Sequence, residues 1–160
     1  MYGSVAELLA DYAEESTSTL RVIGAFDSEL LATSIPPDGR TIGALVSHLA
    51  TSARQIIGFT GVTVAMESPV DGNDDVSRQV EFYRHVSETI AHAIRSSWDE
   101  QFLLREVSVY GMTWTVAKTF QVLIRHEIHH RGQLSSYLRP MGGKVPAIYG
   151  GSADDNPFAK

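Results

Sequence analysis

The sequence predicts an all-α fold, an antiparallel four-helix bundle with a short irregular or extended arm before its last helix. Three observations carry that expectation. Apolar residues recur at spacings of three, four or seven along four long stretches, which is the mark of one buried stripe per helix. Clusters with strong turn chemistry, Pro36-Pro37-Asp38-Gly39 and Pro69-Val70-Asp71-Gly72-Asn73, punctuate the chain between them. Strand-like alternation is confined to one short segment. At 160 residues, 43 % hydrophobic and 20 % charged, the chain is expected to form a single domain, residues 1–160, around its own core.

The first helix is expected from about Ser4 to Leu31. Val5, Leu9, Tyr12, Thr19, Ile23, Phe26 and Leu30 make its stripe, and Ser4 with Glu7 forms a capping box. Thr41 caps the second helix, about Ile42 to Phe59, which buries Ile42, Leu45, Leu49 and Ile56. His48 lies at the edge of that stripe, beside Leu45 and Ser52. After a loop, Asp74 or Asp75 caps the third helix, about Val76 to Trp98, with Val76, Val80, Tyr83, Val86, Ile90 and Ile94 inward. His85 and His92 fall on the opposite face and read as solvated residues with no role.

Residues 99–112 are the least helical. Val107 and Val109 alternate around Ser108, as in a short hairpin or irregular arm, until Gly111; Thr113 is expected to cap the fourth helix. That helix, about Thr115 to Leu138, buries Val116, Phe120, Leu123, Leu134 and Leu138. Glu127 falls on the centre line of its stripe. A lone carboxylate there is costly, so it needs a histidine N–H, an arginine or a metal as partner. The apolar tail from Val145 to Gly151 is expected to fold back on the bundle.

Net charge is −6 and the pI near 5.4, which argues against a nucleic-acid or anionic-membrane binder. No apolar run is long enough for a membrane span. The first residues lack the pattern of a signal peptide, so a cytoplasmic protein is expected. There is no cysteine, which removes disulfides, thiolate metal sites and a cysteine nucleophile. Any metal must be held by His, Asp or Glu.

The chemistry concentrates in Arg125-His126-Glu127-Ile128-His129-His130-Arg131-Gly132-Gln133-Leu134. His126 and His130 are four apart, so they share a helix face about 5–6 Å apart at Cβ. Two imidazoles so placed can hold one ion, with a third ligand supplied by another helix; His48 is the candidate. Such a pair also occurs on plain surfaces. Three neutral imidazoles leave a coordination position open, which suits a catalytic site. Zinc is the first choice and nickel the second. His126-Glu127-Ile128-His129-His130 also satisfies H-E-x-x-H, the zincin protease signature. The extended pattern wants Gly and His where Gln133 and Ser136 stand, and there is no convincing sheet to hold a peptide, so that reading ranks low.

Two stretches resemble the DinB/YfiT-like family of metal-dependent proteins, which shares only a name with a DNA polymerase. One is Thr41-Ile42-Gly43-Ala44-Leu45-Val46-Ser47-His48-Leu49; the other is H-x-x-x-H-R-G-Q-L at His126 to Leu134. The tail Pro146-Ala147-Ile148-Tyr149-Gly150 is similar to endings of some members. The resemblance implies a four-helix bundle with a three-histidine site for zinc or nickel, its ligands His48, His126 and His130, and a homodimer. Some such relatives are S-transferases using low-molecular-weight thiols such as bacillithiol or mycothiol, and others are maleylpyruvate isomerase-like. The expected function is therefore a thiol-dependent S-transfer to a small electrophile, the thiol being a co-substrate. Glu127 is expected to orient a ligand histidine or take a proton. Arg131 and Tyr149 are placed near the pocket mouth, without catalytic roles. The alternatives are a metal-dependent hydrolase of small esters or amides and a non-enzymatic metal-binding stress protein.

Overall fold

In the computed structural model, which describes residues 2–36, 39–65, 70–72 and 74–156, four long helices form a bundle. They are α1 (Val5–Ile23), α2 (Ile42–Gly58), α3 (Val76–Ser97) and α5 (Val116–Leu138), with a one-turn α4 (Glu100–Leu103) between the last two. Each long helix begins on a side-chain cap. Ser4 accepts from Glu7 N, Thr41 from Ala44 N, Asp75 from Arg78 N and Thr115 from Lys118 N, and each bond satisfies a backbone donor that the first turn would leave orphaned. Thr115, not Thr113, caps α5. Thr113 is already paired to Ser108 in a hairpin of β3 (Glu106–Val109) and β4 (Met112–Thr115), so the alternating arm is a regular two-stranded ribbon.

The first helix is shorter than its apolar spacing implies. It stops at Ile23, where Gly24 N–H closes on Leu20 O, and a 3-10 turn, Ser28–Ala32, comes after it. Phe26 and Leu31 are still buried, so the periodic pattern continues into a segment that packs on the bundle without being α-helical. The next turn is bracketed by two-residue strands, β1 (Ser34–Ile35) and β2 (Arg40–Thr41). Pro37 and Asp38, like Pro69 and Asn73 of the later turn, lie outside the described residues.

Two helices run each way. Tyr12 meets Phe120 edge-on at 5.4 Å near the starts of α1 and α5, and Thr19 bonds Glu127 further along both, so these two are parallel. Ser47 bonds Gln79 at 3.0 Å near the starts of α2 and α3, which are parallel as well. The pairs oppose each other: Ser52 of α2 faces His126 of α5 while His48 faces His130. Around the bundle the order is α1, α3, α2, α5, so the consecutive helices α1 and α2 sit on a diagonal, as do α3 and α5. Because α2 and α3 are parallel, the segment between them must return along the bundle. It arrives against the start of α2, where Gly72 O lies so close to Gly43 that an added Cβ would stand 1.6 Å from it. Only a residue without a side chain fits there.

The core is continuous through all four helices. The tail folds back as expected: Ala147 is buried, Val145 and Ile148 pack on the core, and Arg139 pairs with Asp154 at 2.6 Å. Among the described residues no helix is long and apolar enough to cross a membrane.

Candidate metal centre

The antiparallel packing of α2 on α5 brings the first half of one beside the middle of the other. That contact assembles the three histidines. The rings of His126 and His130 lie 4.3 Å apart, those of His48 and His130 4.8 Å, and those of His48 and His126 5.2 Å. One ring nitrogen from each falls within 4.8 Å of the others, and His126 Nε2 is 3.1 Å from His130 Nε2. Two imidazole nitrogens about 2.0–2.1 Å from a tetrahedral ion stand roughly 3.3 Å apart. The α5 pair is therefore close to ligating separation, and His48 has a short distance to close. The donor set, three imidazoles with no thiolate or carboxylate among them, can hold a divalent metal of the zinc or nickel type.

Electrostatics favour the neutral imidazoles that a metal requires. Burial, with His130, His48 and His129 around it, lowers His126 from 6.5 to about 4. His48 is lowered by burial first, then by His130 and Arg40. His130 is lowered by burial too, against a hydrogen bond to Gln133 that pulls it upward. His85, His92 and His129 are exposed, and neither His85 nor His92 belongs to this group.

Glu127 is buried, on the centre line of its helix stripe, but it faces away from the histidines. Its Oε1 accepts from Thr19 Oγ1 at 2.7 Å and from the Tyr83 hydroxyl. Its Oε2, like the nearby Tyr12 hydroxyl, has no hydrogen-bond partner among the described residues. Burial raises its pKa, opposed by those two bonds and by Arg131. The residue bonded to a histidine ring on the same helix is Gln133, whose Oε1 lies 2.7 Å from His130 Nδ1. The physical reason is rotation: at 100° per residue, Glu127 turns toward α1 and α3 while His126 and His130 turn toward α2.

Arg131 is not at a pocket mouth. It is 1 % exposed, and its guanidinium pairs with Glu15 at 2.5 Å, donates to Glu15 O and Thr19 Oγ1, and meets the Tyr149 hydroxyl. Tyr149 in turn donates to Glu15 at 2.8 Å. A polar chain thus runs through the α1–α5 contact, from the tail to Glu127. The apolar stripe of the first helix does not single out Glu15, although a carboxylate on that face needs a partner as much as Glu127 does. Nor does helix spacing point to Gln133, because it says nothing of which side chain a ring nitrogen meets.

A family model, "DinB family", matches residues 1–156. A curated protein of Bacillus subtilis strain 168, "Uncharacterized protein YrdA", is 23 % identical over 159 residues, covering 97 % of this chain and 93 % of its own. The crystal structure of a dinb-like protein from Bacillus cereus ATCC 10987 superposes with a TM-score of 0.86 at 27 % identity, over 93 % of this chain and all of that one. A second dinb-like protein, YjoA of Bacillus subtilis, shares the fold with a TM-score of 0.67 at 20 % identity, over 85 % of this chain and 92 % of its own. With a matching family model over nearly the whole length and a bundle whose two opposed helices converge three histidines, this chain belongs to the DinB family.

Proposed function

We propose that the protein is a metal-dependent enzyme in which His48, His126 and His130 hold one divalent ion, zinc before nickel, and that it transfers a small thiol to an electrophilic small molecule in the cytoplasm. The observation that carries this reading is the convergence of the three ring nitrogens within 4.8 Å. A metal held there would supply the Lewis acidity that makes a thiol a thiolate near neutral pH. The chain's own part is to hold the ion, keep the imidazoles neutral and leave a position open. Because the chain has no cysteine, the sulfur must come from a co-substrate. Sulfur then bonds to the electrophilic carbon as a leaving group departs, and the thiol proton goes to solvent or a side chain. Glu127, turned toward Thr19 and Tyr83, does not orient a ligand histidine as expected; it enters this reading as a support of α5, and a proton-accepting role is what the glutamine variant tests.

A cleft of about 650 Å³ lies along α2, lined by Thr51, Arg54, Gln55 and Gly58 and by Val62 to Val64. Thr51 follows His48 by one turn, which makes this cleft our choice for the small-molecule substrate. A homodimer is part of the same reading.

Metal analysis and titration test it. Protein purified without a histidine tag should carry or take up one equivalent of metal. His48→Ala should weaken retention at least about tenfold, whereas His85→Ala and His92→Ala should leave it unchanged. Equal losses in all three would remove the ligand assignment. Assays with and without added thiol distinguish S-transfer from metal-dependent hydrolysis of an ester or amide.

A further inference from the structure

The two α5 histidines of the cluster, His126 and His130, each have a polar partner at Nδ1. Ser52 stands one turn after His48 on α2, and its hydroxyl proton is committed, donating to His48 O at 2.6 Å. Only lone pairs remain on that oxygen, and they face His126 Nδ1 at 3.4 Å. The contact is attractive only if Nδ1 carries the proton. At His130 the partner is Gln133 Oε1, 2.7 Å from Nδ1. An amide oxygen can only accept, so this Nδ1 carries the proton as well. Both Nε2 atoms are then bare, and they face one another at 3.1 Å. Two lone pairs so placed converge on one point that a cation can occupy; without one the rings part slightly, each keeping its Nδ1 contact.

We propose that Ser52 and Gln133 are positioning residues that lock His126 and His130 in the Nδ1–H tautomer, so that both rings present Nε2 to one point. Ser52 has a further effect. The same oxygen bonds the backbone of His48 and faces the ring of His126, so one side chain registers α2 against α5 at the centre. The proposal rests on reading the three histidines as metal ligands, but the tautomers themselves can be observed without metal.

The test is long-range ¹H–¹⁵N spectroscopy of the imidazoles in the full-length protein, metal-free and then titrated with Zn²⁺ alone. His126 and His130 should both show the Nδ1–H pattern before metal is added. Ser52→Ala should release His126 only, and Gln133→Ala should release His130 only. Ser52→Thr and Gln133→Glu, which keep an acceptor in place, should restore the pattern. Zn²⁺ affinity should fall about 10- to 100-fold in the two alanine variants and return toward wild type in the conservative ones. Nδ1–H signals that persist in both alanine variants would overturn the proposal, as would a wild-type His126 protonated at Nε2. Should wild type show the stated tautomers but take up no Zn²⁺, the positioning assignment stands and the metal reading falls.

Discussion

Glu127 has one carboxylate oxygen satisfied twice and the other without a partner among the described residues. Its place on the buried stripe was legible from the spacing of Phe120, Glu127 and Leu134, and so was its need for a partner. Which partner it finds was not, because Thr19 and Tyr83 come from two other helices. This arrangement separates its two proposed roles. Glu127→Gln keeps an oxygen for Thr19 and Tyr83 and puts an amide where the unpartnered oxygen was, so unfolding free energy should stay within about 1 kcal/mol of wild type. Glu127→Ala strands two buried donors and opens a cavity, and should cost about 2–4 kcal/mol. Denaturant titration measures both. If Glu127 takes a proton in the reaction, the glutamine variant loses turnover while retaining metal; unchanged turnover in that variant leaves it a structural residue.

At the scale of elements, caps and stripes were legible because they are local. Ser4, Thr41 and Asp75 cap as their spacing implies. The differences arise where a local pattern continues across a change of backbone, as at Gly24, or where tertiary pairing claims a residue, as β4 claims Thr113. The β3–β4 turn has positive φ at both central residues, Tyr110 at 49° and Gly111 at 79°. A tyrosine is unusual in that conformation; its ring packs on Phe59 at 4.8 Å, tying the hairpin to the end of α2. The return segment is tied at the other end of α2 by the Gly43–Gly72 contact. Gly43→Ala would drive a methyl into backbone that cannot rotate away. We expect it to cost about 1–3 kcal/mol, or more if the segment detaches. Thermal unfolding reads the loss. A variant as stable as wild type would show that the two segments do not need to approach so closely.

The whole molecule responds to pH through the histidine cluster. In the metal-free protein the folded state holds His126 near 4 while the unfolded chain protonates it near 6.5. The stability tied to this difference is therefore fully present above about pH 6.5. It is lost as pH falls toward about 4 and changes no further below that. Since the ring is partly exposed to solvent, a discounted loss of about 1–2 kcal/mol is expected. Urea unfolding across that range should show the slope, and His126→Asn should flatten it; an unchanged slope in that variant would place the titration elsewhere. Zinc should raise the melting temperature at about pH 7.5 and much less at about pH 5, where protons compete for the same nitrogens.

The sequence by itself determined the four long helices apart from the end of the first, the acidic and cysteine-free character and the i, i+4 histidine pair, because each depends on short-range periodicity or on composition. Only the tertiary structure decided the rest. The parallel placement of α2 beside α3 leaves α2 opposed to α5, and that opposition carries His48 to His126 and His130. It also sends Glu127 and Arg131 to a different interface from the residues beside them in the chain. Neighbours on a helix point 100° apart, so what each one meets is set by which helix lies on that side, and that is a property of the packed bundle.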